Sequence, residues 1–299
     1  MESFEKPNKL LLFMPTLNQR EENLWGKVRD ILRLHRNLRD ERDMRLAIHV
    51  TCDGSGPEFN TPKTLQRMQD RLVPEGIEFS FQSHETRLGK TVTVVEGLKR
   101  LMGNAGPNDL IGCLDDNEHR FASALDLVEA ILDQGYLGSI GTIVYPPDYL
   151  NSIDRHAMPA VGGIESQVLG LNGTLYIYAS GYWINRVSVV GISVEKLFPM
   201  YLDLFHEMHP NLQVPTWGTP TLFQELMNWV IRNREPWISV PVERRKMTVF
   251  YLPCFEVPGE TPLGRSLEKA QNQIRSLVLN WLVLNELLGV ERNRDIPGM

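Results

Sequence analysis

The sequence predicts an α/β protein with a mostly parallel sheet flanked by helices. Through the first half of the 299 residues, short apolar runs alternate with longer segments of helical periodicity. This alternation is typical of parallel strands joined by right-handed helical crossovers. Polar clusters follow three of the apolar runs, at the strand ends where open α/β sheets bind ligands. The second half lacks the alternation and predicts an irregular region followed by a C-terminal helix.

Five strands and four helices are predicted in alternating order in the first half. The strands are the apolar runs at residues 10–14, 46–51, 77–81, 109–114 and 138–144. The helices have apolar residues three or four positions apart and cover residues 24–38, 61–72, 91–102 and 122–132. Pro15 is expected to end the first strand. Thr61 is expected to cap the second helix, with Pro62 at its first position.

The second half is rich in glycine, proline and aromatic residues. It predicts a hairpin, a helix, a short strand and a long apolar helix, at residues 167–185, 222–231, 237–240 and 267–288. The aromatic residues of the hairpin favour the packed face of a strand, with stacking on a sugar or base as the alternative. The predicted units are 1–145, 146–258 and 259–299, within one continuous globular body. The last helix is expected to pack across this body or against a second copy of the chain.

Charge, cysteine content and hydropathy argue against several classes of protein. The 31 basic and 37 acidic residues give a net charge of −6, which argues weakly against a protein that coats nucleic acid. The three cysteines have no short paired spacing, so neither a disulfide framework nor a cysteine zinc site is expected. No apolar run approaches the roughly 18 residues of a spanning helix, and the run at 10–14 is too short for a signal peptide. We therefore expect a cytoplasmic protein without a transmembrane segment.

The sharpest candidate motif is Asp115, Asp116 and Asn117, directly after the predicted fourth strand. Adjacent carboxylates at a strand end need a cation when they lie in a cleft, and oxygen ligands suit Mg²⁺ or Mn²⁺. A metal held by one or two carboxylates commonly also binds phosphate oxygens. The alternative interpretation is a solvated acidic turn.

A second candidate motif is Gly89 and Lys90, which open the predicted third helix. With Thr91 they resemble the end of a P-loop, but His84 stands five residues before Gly89, where that motif needs glycine. A Gly-Lys pair at a helix N-terminus still offers amides and a cation to a phosphate. The alternative is a loop glycine with a surface lysine.

A third candidate motif is Asp53-Gly54-Ser55, which follows the predicted second strand. A carboxylate at a strand end can accept hydrogen bonds from a base or ribose. The alternative is a plain Asp-Gly turn.

Taken in order, these motifs resemble the nucleotide-sugar glycosyltransferases of family two, which have the GT-A fold. The matching segments are Pro15-Thr16-Leu17-Asn18 with Glu21-Glu22-Asn23-Leu24, Asp53-Gly54-Ser55, Gly89-Lys90 and Leu114-Asp115-Asp116-Asn117. The resemblance covers about the first 145 residues. It continues loosely through residues 180–186, which are similar to the acceptor-side segment of that family.

The resemblance implies a role for each matching residue. The residues that would bind the nucleotide-sugar donor are Thr16, Asn18, Asp53, Ser55, Arg87, Lys90 and Asp115. The Mn²⁺ or Mg²⁺ ligands would be Asp115, Asp116 and Asn117, with His209 as a candidate further ligand. Among these, Asp116 is the expected direct ligand. A UDP-sugar is the first choice of donor.

The sequence departs from the family pattern at three places. Asn117 stands where aspartate is commoner, and Cys52 stands where a second aspartate often precedes Asp53. Residues 218–222 lack the acidic pair that usually supplies the catalytic base, and Glu225 lies one helical turn further on. The other candidates for a base or third metal ligand share one predicted helix, namely Asp203, His206, Glu207 and His209. A retaining mechanism needs no protein base, so inversion and retention both stay open.

We therefore expect a metal-dependent glycosyltransferase that moves a sugar from a nucleoside-diphosphate sugar to an acceptor hydroxyl. Asp116 and Glu225 are its expected catalytic residues. The acceptor is open between a small molecule, lipid, glycan, protein and modified nucleic acid. One rival is a P-loop-like NTPase or kinase that uses residues 89–91, and another is a non-catalytic nucleotide-sugar-binding protein.

Overall fold

The computed structural model describes residues 6–114, 123–134, 136, 138–145, 176–212, 214, 219–233, 249–254, 279–280 and 282–288. Its strands are β1 (Lys9–Thr16), β2 (Arg45–Cys52), β3 (Glu78–Ser83), β4 (Leu110–Cys113), β5 (Gly138–Tyr145), β6 (Tyr176–Arg186) and β7 (Val249–Cys254). The helices are α1 (Glu21–Arg42), α2 (Thr61–Leu72), α3 (Lys90–Met102), α4 (Ser123–Leu132), α5 (Val187–Ile192), α6 (Phe198–Met208) and α7 (Thr219–Asn233). Shorter helical segments lie at Pro57–Phe59, Val73–Glu75, Ser193–Leu197, 279–280 and 282–288.

In the part of the chain that the structure describes, seven strands form one sheet in the order β3-β2-β1-β4-β6-β5-β7. Strand β1 is parallel to β2 and β4, β2 is parallel to β3, and β5 is parallel to β7. Strand β6 is antiparallel to both of its neighbours, β4 and β5. The predicted mostly parallel α/β sheet flanked by helices is therefore confirmed, and strands from both halves of the sequence share it.

Helices cover both faces of the sheet, so β1 is buried along its whole length. Leu11 and Phe13 of β1 join a core cluster with side chains of α3, α5, α6 and α7. The alternating residues Leu10, Leu12 and Met14 join a second cluster with α1, α2 and α4. Period-two alternation in a strand places successive side chains on opposite faces. Both faces of β1 are apolar, which explains its continuous hydrophobic run.

Helix α3 lies close to β1 because Gly97 carries no side chain. A Cβ atom at Gly97 would overlap the ring of Phe13. Gly97 and Phe13 are both buried, so neither can move into solvent to relieve an overlap. This contact fixes the distance between the strand and the helix that begins at Lys90.

Asp109 joins the amino ends of β1 and β4. Its Oδ1 accepts hydrogen bonds from the amides of Asn8 and Lys9, each at 3.0 Å. Its Oδ2 accepts from the amide of Gly106 at 2.9 Å. Asp109 is 9 % exposed, and its carboxylate supplies the acceptor for three backbone donors, of which that of Lys9 is buried.

The structure corrects three details of the sequence prediction. Pro15 does not end the first strand, which continues to Thr16 in register with β2. The carbonyl of Thr16 accepts a hydrogen bond from the β2 side, and that of Phe13 accepts one from the β4 side. The nitrogen of Pro15 therefore faces the β4 side, so the lack of an N–H group removes no bond between β1 and β2. Thr61 is the first residue of α2 rather than its cap, since Asn60 precedes it in the left-handed region with φ 50°. Strand β7 was not predicted at all.

Two other predictions are covered only in part. Strand β6 corresponds to the second half of the hairpin at 167–185, whose first half lies outside the described residues. The strand at 237–240 is also outside them, and of the helix at 267–288 only residues 279–280 and 282–288 are described, as helical. Trp183 of β6 is 2 % exposed in the core, which supports the packed-face interpretation for that aromatic residue.

His49 of β2 is a buried neutral side chain. Its Nδ1 lies 2.9 Å from Ser80 Oγ, its Nε2 lies 3.3 Å from Thr51 Oγ1, and its ring stacks on Phe13. Burial, assisted by the charge of Arg100, lowers the pKa of His49 to about 4. In the unfolded chain the pKa is about 6.5. Between about pH 4 and pH 6.5, His49 is therefore protonated in the unfolded chain and neutral in the folded protein.

We expect the free energy of unfolding to fall as the pH falls from about 6.5 to 4, with His49 contributing on the order of 3 kcal/mol to that loss. Above pH 6.5 its contribution is fully present. Urea titrations at a series of pH values measure the loss. His49→Gln, which does not titrate, should flatten this part of the profile. An equal slope in wild type and His49→Gln would contradict the assignment.

Candidate functional site

Three loops meet at the carboxyl ends of β1, β2 and β3. The amide of Asp53, just past β2, donates to the carbonyl of Thr16 at 2.9 Å, and the amide of His84, just past β3, donates to the carbonyl of Cys52 at 2.9 Å. These bonds extend the strand pairing beyond the sheet. They hold the loops after the three strands side by side, in the place where parallel sheets bind ligands.

Asn18 and Ser55 bind each other across the first two loops. The amide of Asn18 donates to Ser55 Oγ at 2.8 Å, and Asn18 Oδ1 accepts from the amide of Gly56 at 3.0 Å. Asn18 has φ 54°, a left-handed conformation that asparagine tolerates better than most residues. The structure thus brings together two of the predicted donor-binding residues. Asn18 is exposed and Ser55 is half-buried.

Asp53 connects the second loop to the third. Its Oδ1 accepts from the amide of Leu88 at 2.7 Å, and its Oδ2 accepts from the amide of Gly89 at 3.0 Å. The side chain is only 4 % exposed. A backbone amide bonded to each oxygen stabilises the buried charge.

Gly54 allows the second and third loops to touch. Its φ is +74°, and a Cβ atom there would lie 2.7 Å from the amide nitrogen of Arg87. A side chain would therefore meet backbone, which cannot rotate away. Asp53 and Gly54 together hold the segment before α3 in one place.

Arg87 and Lys90 lie on either side of the two amides that Asp53 binds. Arg87 is exposed and Lys90 is half-buried as the first residue of α3. The first helical bond runs from the amide of Thr93 to the carbonyl of Gly89 at 3.1 Å. The positive end of the α3 dipole thus lies at Gly89 and Lys90, next to two cationic side chains.

The same geometry disfavours the P-loop alternative. A P-loop directs the amides of the loop before its helix at a phosphate. Here the amides of Leu88 and Gly89 are already bonded to the carboxylate of Asp53, so they do not point at a phosphate as the amides of a P-loop do.

Thr16 lies at the end of β1 on the face that packs against α1 and α2. The residue is 2 % exposed, and its Oγ1 has no hydrogen-bond partner among the described residues. Its carbonyl holds Asp53, as noted above. Thr16 is therefore at the base of the three loops rather than at their surface.

The predicted metal ligands Asp115, Asp116 and Asn117 lie outside the described residues. The preceding residue, Leu114, is buried and donates from its amide to the carbonyl of Phe13 at 2.8 Å. Within the described ranges, no group of three or more His, Cys, Asp or Glu side chains is arranged to hold a metal ion.

The candidates on α6 do not form a shared ligand face. Helix α6 ends at Met208, and His209 lies just past it, with its ring 5.3 Å from that of Phe205 in an edge-on contact. Asp203 and His206 are exposed on the helix, whereas His209 is half-buried. Of the four candidates expected on one helix, His209 therefore lies just beyond its end.

Glu225 lies in the second turn of α7, as predicted, and is exposed. The neighbouring residues Leu222, Phe223 and Leu226 fill the core. Glu225 thus faces away from the side of α7 that packs against the body.

The bonds from Asp53 to Leu88 and Gly89 were missed by sequence reasoning. The motif Asp-Gly-Ser indicated a turn or a ligand site, and nothing in the local pattern points to amides 35 and 36 residues further along. Gly54 was the available signal, since a positive φ and a close backbone approach both require glycine.

No protein-family model matches the chain, and no curated protein matches its sequence. In the portion covered by the structure, none of the helices combines the length and apolar character that a membrane crossing requires.

Proposed function

We propose that the protein is a metal-dependent glycosyltransferase of the GT-A type, which moves a sugar from a nucleoside-diphosphate sugar to an acceptor hydroxyl. The observation that carries the proposal is the meeting of the three loops with Asn18, Ser55, Arg87 and Lys90 at the carboxyl ends of β1 to β3. These are residues that the family resemblance assigns to the donor. The parallel arrangement of β1 to β4 is compatible with a Rossmann-like nucleotide-binding half.

The proposed donor site divides into a nucleoside end and a diphosphate end. Asn18 and Ser55, already bound to each other, present amide and hydroxyl groups to the base and ribose. Arg87 and Lys90, at the positive end of α3, lie next to the diphosphate and offset the charge that grows as the glycosidic bond breaks. Thr16 and Asp53 are buried beneath this site and support its loops.

The metal motif fits Mg²⁺ or Mn²⁺ by the chemistry of its donors, two carboxylates and an amide oxygen at Asp115, Asp116 and Asn117. A bound ion there supplies Lewis-acid stabilisation of the leaving diphosphate. Glu225 is the proposed base that takes the proton of the acceptor hydroxyl. We also propose a cytoplasmic location, because the three cysteines of the sequence have no short paired spacing that would indicate a disulfide framework.

We expect nucleoside diphosphates to raise the Tm of the full chain in the presence of Mn²⁺. At a concentration of 100 times Kd, the stabilisation of about 2.7 kcal/mol corresponds to a Tm increase of about 4 °C for a chain of 299 residues. The measurement is thermal unfolding with UDP, GDP, CDP, dTDP and ATP, in Mn²⁺, in Mg²⁺ and with a chelator. Asp116→Ala should remove the Mn²⁺-dependent part, and the exposed Asp70→Ala should not.

Stabilisation by ATP with Mg²⁺ alone would support the NTPase or kinase instead. A Mn²⁺-dependent shift that is unchanged in Asp116→Ala would remove the metal assignment.

The non-catalytic nucleotide-sugar-binding protein is the second candidate function, since residues 218–222 lack an acidic pair and Glu225 is exposed. Both candidates predict the same binding. They differ in the slow hydrolysis of a bound donor sugar, which the enzyme alone should catalyse. Release of UDP from UDP-sugars, compared between wild type and Asp116→Ala, distinguishes them.

A further inference from the structure

We propose that Asp53 is a positioning residue for the diphosphate end of the donor site, acting through the backbone of Leu88 and Gly89, and does not read the nucleotide base. This inference rests on the proposed function, because it concerns the same nucleotide site. It differs from the role that the family resemblance implies for Asp53, which is direct contact with the base or ribose.

The carboxylate of Asp53 is buried and fully engaged in hydrogen bonds to the backbone. The two oxygens accept from two consecutive amides, at 2.7 and 3.0 Å. The residue is 4 % exposed, so a base edge has almost no surface of Asp53 to contact. The carboxylate is engaged with its own chain before any ligand arrives.

The two amides that Asp53 binds lie between the two cationic residues of the proposed diphosphate end. Leu88 and Gly89 lie between Arg87 and Lys90, the two cations proposed for the diphosphate. Gly89 has φ 94°, a conformation that an unrestrained loop leaves easily. Two charge-assisted hydrogen bonds from a buried carboxylate hold this turn. Asp53 thereby sets where both cationic side chains leave the backbone.

The direction in which phosphate affinity changes when Asp53 is neutralised tests the proposal. A carboxylate near the start of α3 opposes an anionic ligand through its charge, so neutralising it alone would strengthen phosphate binding. If Asp53 acts by positioning, its neutral variant loses one of the two amide bonds and binds phosphate more weakly. If Asp53 reads the base, the same variant changes the preference between bases and leaves a ligand without a base unaffected.

The experiment compares the full-length wild type with Asp53→Asn and with Asp70→Asn, an exposed aspartate on α2 that contacts Gln66. Calorimetry gives Kd for UDP, CDP and inorganic pyrophosphate in Mn²⁺. Hydrogen exchange gives the protection of amides 84–93. We expect Asp53→Asn to weaken all three ligands by a similar factor of about 10 to 100, the range for residues that orient a binding group. Exchange at Leu88 and Gly89 should accelerate, and Asp70→Asn should change neither quantity.

Three results would overturn the proposal. They are tighter pyrophosphate binding by Asp53→Asn, a loss confined to one nucleoside diphosphate, and faster exchange without any loss of affinity. If the wild type binds none of the three ligands, the proposed function fails and the donor-site role of Asp53 fails with it. In that case protected amides in the wild type would still show that the carboxylate holds the turn.

The wild type also gives a measurement that does not depend on the folding of a variant. Neither Leu88 nor Gly89 is a residue of α3, yet both amides are bonded to Asp53. They should exchange slowly compared with an unstructured chain. Exchange at the unstructured rate would overturn the proposal.

Discussion

Asp109→Ala is expected to lower the free energy of unfolding by about 2–4 kcal/mol, because it removes the acceptor of one buried and two part-buried backbone amides, and an unsatisfied buried donor costs about 1–3 kcal/mol. The amides are those of Asn8, Lys9 and Gly106. They lie at the start of β1 and in the segment that leads into β4, the two parallel strands nearest to the antiparallel β6. Urea unfolding at neutral pH measures the effect.

Asp109→Asn should lie between wild type and Asp109→Ala. Its carbonyl oxygen can still accept from Asn8 and Lys9, while its NH₂ group faces the donor of Gly106. The exposed Asp70→Ala, by contrast, should change stability by less than about 0.5 kcal/mol. A loss at Asp109→Ala no larger than that of Asp70→Ala would show that water replaces the carboxylate at no cost.

Gly97→Ala is expected to destabilise the protein by about 1–3 kcal/mol, although alanine is the better helix former. The added Cβ would enter the ring of Phe13. Phe13 is fully buried and also stacks on His49, so the ring has no space to move into. The strain must be relieved by a displacement of α3 from β1, which would also move Lys90. Thermal and urea unfolding report the stability.

Gly26→Ala is the matched control for this substitution. Gly26 is also inside a helix, and a Cβ atom there has no neighbour within 4 Å. Alanine should therefore stabilise the protein by about 0.5–1 kcal/mol through its helix propensity. Opposite signs for the two substitutions would establish packing as the cause. A gain in stability at both positions would contradict the contact with Phe13.

The fold was predictable where apolar residues recur at the regular spacing of a helix or a strand. Strand β1 and helices α1 to α3 follow from apolar spacing, because both faces of the sheet must be covered. The place of β6 between β4 and β5, and its antiparallel direction, follow from pairings such as Gly112 with Ile184, which join distant parts of the chain. The prediction that Pro15 ends β1 was wrong because a proline removes a hydrogen bond only on the side that its nitrogen faces. The nitrogen of Pro15 faces away from β2, with which β1 stays in register to Thr16.

The sequence was sufficient to predict which loops lie together at the candidate site. It was not sufficient to predict the hydrogen bonds between those loops. The strand-end rule assigns Asn18 and Asp53 to one edge of the sheet, and Lys90 was predicted to open the third helix. It does not indicate that Asp53 binds backbone amides while Asn18 binds the turn at Ser55 and Gly56. Those bonds link side chains to backbone 35 to 38 residues away, and no local sequence pattern encodes them.

The position of β6 determines the order in which the sheet can form during synthesis. Strands β1 to β4 pair with one another and are complete once residue 113 has left the ribosome. Strand β5 comes next in the chain, but among the strands described its neighbours are β6 and β7, which are translated later. Until β6 emerges, the nascent protein exposes the open edge of β4 and an unpaired β5, both able to pair with other chains. Among the described strands, β4 and β5 therefore keep open edges from the translation of residue 114 to that of residue 186.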